Sequence, residues 1–139
     1  QMDFYYADDS VCSWLSVPEH LCGWDDFIHG GVISTILDEI MSWTAIFMLK
    51  KFILTKSMTI QFLKPLRVET KLKATGRVKE IVSEKEAVIE GFLYDEEGRL
   101  CAGSEGNYAL LAVKTARRMG IVDETEAEKM ELVFQAQPE

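Results

Sequence analysis

Several kinds of residue are scarce in this chain of 139 residues, and each scarcity narrows what it can be. There are two histidines, His20 and His29, and three widely spaced cysteines, Cys12, Cys22 and Cys101, with no C-x-x-C pair among them. That pattern argues against a disulfide framework and a thiolate zinc site, and two histidines without a ligand-spaced partner make a catalytic zinc a poor expectation as well. A reducing cytoplasm is the expected home. No G-x-S-x-G elbow occurs, and no cysteine stands near His29, so a histidine-based nucleophilic triad is not expected. A basic start followed by an apolar block and a small-residue cleavage site is also missing, which gives no sign of secretion. Neither a Pro/Ser/Gly-rich linker nor an internal repeat divides the sequence, and its length suits one domain. The long apolar run from Phe27 to Leu49 approaches membrane-spanning length, but Asp38 and Glu39 at its centre would be costly in hydrocarbon. A buried helix of a soluble protein is the expectation, with no membrane partner.

Positive charge is scarce too, and its placement is uneven. The net charge of −8 argues against general affinity for nucleic acid. Yet residues 50–79 hold nine Lys and Arg against one acid, Glu69, a local charge of 9 − 1 = +8. One basic segment on an acidic protein suits a small polyanionic ligand better than a duplex, while a solvated strand face is the plainer explanation.

The patterns of apolar residues predict an ordered series of elements. Met2 to Ala7 reads as a short strand or tail, Ser10 to Val17 as a strand ending before Pro18, and Glu19 to Ile28 as a mixed loop. From Gly31 to about Lys50 the period becomes helical, with Ile33, Leu37, Ile40, Thr44 and Phe47 at three- and four-residue steps. Lys50 and Lys51 are expected in its last turn, where cations complement the helix dipole. Four strands should follow, over residues 55–63, 69–81, 85–94 and 100–113. Gly98 in the DEEGR loop marks the last two as an antiparallel hairpin. The fold class is therefore α+β: an antiparallel β-sheet that curls around one long central helix, because that helix is apolar around most of its circumference. Residues 1–114 form the single domain, and residues 115–139 an accessory, partly helical tail with Ala127, Met130 and Phe134 on one side.

The stretch HGGVISTILDEIMSW, from His29 to Trp43, is the one that carries chemistry. Two glycines open an apolar helix, and two carboxylates interrupt it. On a helical wheel Asp38 falls at about 100° from Leu37, flanking the apolar stripe, whereas Glu39 falls at about 200° and points away. Asp38 is therefore the better placed for chemistry.

The block HGGVISTILDE, with Asp38 nine residues after His29, resembles the hotdog-fold acyl-CoA thioesterases of the PaaI-like and 4-hydroxybenzoyl-CoA thioesterase group. The likeness continues in TKSMTIQFLKPL and in DEEGRLCAGSEGNYALL, and extends over roughly residues 8–113. It implies hydrolysis of an acyl-CoA thioester without metal or redox cofactor, coenzyme A being part of the substrate. Asp38 would act as general base on a water or as nucleophile forming an anhydride, and the sequence leaves both open. Gly30 at the helix start would offer its amide to the developing oxyanion, though Gly30 and Gly31 can equally serve a tight turn. A strand hydroxyl, Thr55 or else Ser57, would position the water. His29 would shape the loop or touch substrate. Gly31, Trp24 and Phe27 would border the substrate, with Lys56, Lys64 and Arg67 near the phosphates of coenzyme A. The resemblance also implies a homodimer, or a dimer of dimers making a homotetramer, in which each site lies between two chains.

One residue departs from the family pattern. Many members carry an asparagine six residues before the histidine, and Gly23 stands there, with Asp25 and Asp26 as possible substitutes. A non-catalytic acyl-CoA binding or sensing protein is the alternative function. A hotdog dehydratase fits less well, because the helix lacks the expected Asp and His spacing.

Overall fold

The computed structural model describes residues 4–7 and 9–135. Six strands form one antiparallel sheet in the spatial order β1-β2-β4-β5-β6-β3: β1 Tyr5–Ala7, β2 Ser10–Leu15, β3 Phe52–Phe62, β4 Leu72–Ser83, β5 Glu86–Tyr94 and β6 Leu100–Leu111. The helix α1, Gly30–Leu49, packs on one face of that sheet. Two further helices, α2 Val113–Arg118 and α3 Glu124–Gln135, follow the last strand. Residues 2 and 3 of the first expected strand, and 136–139 of the tail, lie outside the described residues.

The alternation of β5 and β6 explains why the core sits where it does. Ala87, Ile89 and Leu93 from β5, and Tyr108 and Leu110 from β6, point to the helix side and are buried, while Glu86, Glu90 and Glu105 point the other way. From α1 the side chains of Ile33, Leu37, Ile40 and Met41 meet them. α1 has the length and apolarity of a membrane span, but here its apolar stripe is covered by strands. Gly98, at φ 81, turns the β5–β6 hairpin, and the Asp95 carboxylate gathers the amides of Glu97 (3.0 Å) and Arg99 (2.9 Å). Those bonds, that from Arg99 foremost, hold Asp95 below the usual carboxylate range.

α1 lies so close to β4 that a glycine is needed between them. A Cβ built on Gly76 would stand 2.1 Å from Thr44 Oγ1 and 3.0 Å from the carbonyl oxygen of Ile40. Thr44 is fully buried and donates to that same carbonyl at 2.6 Å, so its hydroxyl cannot swing aside without losing its bond. Gly76→Ala should therefore destabilise the fold by about 1–3 kcal/mol, read as a melting temperature lowered by several degrees. An unchanged melting temperature would show that helix and sheet separate easily.

Several boundaries differ from expectation, for local reasons. Lys50 is the C-cap of α1 in the left-handed region (φ 58), and no cation lies in the last turn. Lys51 lies beyond the helix and donates to the Glu84 carbonyl at 2.8 Å, because the chain reverses at once into β3. β3 accordingly begins at Phe52 rather than 55. Glu69 is not yet strand: it sits at φ 61, its amide bonded to the Val17 carbonyl. Val113 opens a helix instead of closing a strand. In the tail Ala127 is buried, Phe134 meets Phe52 edge-on at 6.0 Å, and Arg117 bridges Glu124 and Glu131.

Candidate active site

Asp38 stands at the border of the α1 stripe and the last-placed strand, β3. Its Oδ1 accepts two hydrogen bonds, from Thr55 Oγ1 at 3.0 Å and from Tyr108 Oη at 2.9 Å. Its Oδ2 has no hydrogen-bond partner among the described residues. The Tyr108 side chain is fully buried, and burial above all, with the neighbouring Asp38 charge adding to it, pushes its ionisation well above the ordinary phenol range. Tyr108 is thus a neutral donor across the working pH range. Glu39 faces outward and accepts from Trp43 Nε1 at 2.9 Å.

A β-bulge decides which hydroxyl reaches Asp38. Thr55 pairs with Tyr108 and Ser57 with Asn107, so Lys56 is the extra residue between two consecutive register positions. Residues 58 and 60 then face the helix side and 57 the outer side. A strictly alternating strand with Met58 and Ile60 inward would have turned Thr55 outward.

The other expected element is the head of α1. His29 is its N-cap, with φ −60 and ψ 139, and its Nδ1 accepts from the Gly31 amide at 2.9 Å. The amides of Val32 and Ile33 reach the His29 carbonyl, whereas the Gly30 amide has no acceptor among the described residues. Beside Gly30 lies a hollow of about 260 Å³, bordered by Phe27, Phe62, Leu63, Lys64 and Pro65. Gly30 and Asp38 are eight residues apart on one helix, a rise of about 12 Å, so one chain cannot bring both to the same carbonyl. Gly23 abuts His29: a Cβ there would come within 3.1 Å of the His29 Cα and 3.2 Å of its ring. A larger side chain at 23 would press on the cap.

The cations of the basic segment are mostly engaged. Lys56 pairs with Glu86 (2.7 Å), Arg67 with Asp26 (2.6 Å), Arg77 with Glu90 (2.8 Å), and Lys79 with Glu105. Lys56, followed by Asn107, also holds the Glu86 carboxyl below its ordinary value. The Arg67 guanidinium lies 4.7 Å over the Phe27 ring, which fixes Phe27 at the loop, and the same pairing occupies Asp26. Lys64, beside the Gly30 hollow, has no ion-pair partner among the described residues. Trp24 is 81% exposed, while Asp25 sits at φ 55 in the same loop.

Tyr108 is the residue that sequence reasoning passed over. An inward-facing tyrosine amid the apolar alternation of NYALL was the available sign, but its meeting with Asp38 depends on the register of β3 against β6.

The thioesterase superfamily model matches residues 26–102, over half of the chain and including α1, Asp38 and Thr55. The chain belongs to the thioesterase superfamily. As a member of that superfamily it is a thioester hydrolase, and its antiparallel sheet around α1 is the hotdog fold. Solved structures agree on the fold. A hypothetical thioesterase from Streptococcus pneumoniae, solved with coenzyme A, is 18% identical, with a TM-score of 0.74 over 81% of this chain and 87% of that one. The Escherichia coli PaaI protein is 18% identical with a TM-score of 0.72, covering 80% of each chain. A Haemophilus influenzae thioesterase gives 18% and 0.72 over 80% of this chain and 78% of that one. A search of curated protein sequences finds no significant match.

Proposed function

We propose that this superfamily member hydrolyses acyl-CoA thioesters to the free acid and coenzyme A at a site shared by two chains. The observation that carries the reading is the half-buried Asp38 carboxylate, fixed through Oδ1 by Thr55 and Tyr108, with Oδ2 unpartnered among the described residues. Such an oxygen can take a proton from water as hydroxide adds to the thioester carbon, or add to that carbon itself. The carbonyl oxygen gains negative charge in either case. A Gly30 amide at the dipole-positive head of α1, supplied by the second chain, would receive it. The C–S bond then breaks and the thiolate of coenzyme A leaves, taking up a proton; on the second route water then hydrolyses the Asp38 anhydride, which frees the acid and restores the carboxylate. The rise of about 12 Å between the two within one helix supports the two-chain arrangement, as does the long outer strand β3, which exposes Leu54 and Phe62 at the edge of the sheet. The coenzyme A and acetyl-CoA complexes of two similar structures support the substrate class.

The test is release of free thiol from a panel of short, medium, long and aromatic acyl-CoAs. Tight binding of a panel member without turnover would favour the non-catalytic alternative, which Gly23 keeps open because position 23 offers no side-chain amide. Lys64 stands beside Gly30 and has no ion-pair partner among the described residues, so it can meet a phosphate there. Lys64→Ala should raise KM several-fold, more so at low salt, and leave kcat nearly unchanged. Lys56→Ala, which removes a cation already paired, should move KM less than twofold by the same reasoning, as roughly expected for an exposed pair. Equal effects from both variants would remove Lys64 from this role.

A further inference from the structure

We propose that Tyr108 is a positioning residue for hydrolysis: its hydroxyl fixes the Asp38 carboxylate so that Oδ2 alone is presented to the reacting group. The inference rests on the reading of Asp38 as the reacting carboxylate.

A carboxylate on a helix surface can rotate and offer either oxygen. Here two donors converge on one oxygen, at 2.9 Å from Tyr108 and 3.0 Å from Thr55, which breaks the equivalence of the two. The donors differ in how firmly they are held. Thr55 is exposed and lies on the outer strand of the sheet. Tyr108 is fully buried on β6, hydrogen-bonded to strands on both sides. Its ring also occupies the space left by Gly106, where a Cβ would stand 2.8 Å from the Tyr108 ring. Buried and kept protonated, with the Ser42 and Thr55 hydroxyls beside it, the phenol donates its proton to the carboxylate. Tyr108 is therefore the rigid half of the clamp, and Thr55 the exposed half.

Positioning predicts effects that mere filling of the core does not. Tyr108→Phe keeps the ring and removes the donor. It should lower kcat about 10-fold or more, since bonds to charged groups are the strong ones, and leave KM within about twofold. Gly106→Ala, which displaces the ring and leaves the hydroxyl on it, should give the same split between kcat and KM. Steady-state kinetics on wild type, both variants and Asp38→Asn separates the outcomes. Wild-type kcat in Tyr108→Phe, beside an inactive Asp38→Asn, would overturn the role of Tyr108 alone. Full activity in Asp38→Asn would overturn the underlying reading and this role with it.

Discussion

Asp38→Asn should lower kcat for acyl-CoA hydrolysis by about 10²- to 10⁴-fold, the range for loss of a positioned general base. Asparagine has nearly the same shape, and its carbonyl oxygen can still accept from Thr55 and Tyr108, which now donate at 3.0 and 2.9 Å. What the variant lacks is the negative charge at the second oxygen, needed both to take a proton and to add to the thioester carbon. KM should change little, and the melting temperature should stay within a few degrees, because the half-buried clamp remains filled. Thiol release at saturating substrate measures the effect, and turnover within threefold of wild type would take Asp38 out of the chemistry.

Gly30→Pro should lower kcat by about 10²- to 10³-fold, the usual effect of removing one oxyanion donor. Proline is the informative substitution because it deletes the amide without harming the helix. Gly30 is the first residue of α1, where proline is favoured, and His29 before it already has the extended backbone that proline requires (φ −60, ψ 139). There is room as well, since the nearest atoms to a Cβ on Gly30 are those of the Phe62 ring, at 3.7 Å. The variant pairs with the first in a mixing experiment. If Asp38 of one chain works with Gly30 of the other, a mixed dimer of the two inactive variants has one intact site. Activity should then return on unfolding and refolding the two together. No recovery, with mixed dimers demonstrated by mass, would place both groups of each site in the same chain.

How far the sequence could be read depended on whether a feature is local. The long helix was legible because Ile33, Leu37, Ile40 and Thr44 repeat at helical steps, and all four are buried. The last hairpin was legible because Gly98 sits where a left-handed residue is needed. Asp38 was separable from Glu39 by its angle on the wheel alone, and the two do face Tyr108 and Trp43 respectively. The cations of residues 50–79 were legible as a group but their pairing was not, because the partners Glu86, Glu90 and Glu105 meet them only across the sheet. Tyr108 stayed hidden for the same reason, 70 residues from the carboxylate it touches. The left-handed cap at Lys50 was masked by a charge pattern that fits a helix end equally well.

The irregularity in β3 has a bearing on how such a site can be gained or lost. If the two-against-one step slid a single residue toward the start of the strand, Ser57 and everything after it would keep their partners, yet Lys56 would replace Thr55 opposite Tyr108. An ammonium group would then neutralise the carboxylate at contact range, and a hydrolytic centre would become an inert ion pair with no amino acid exchanged.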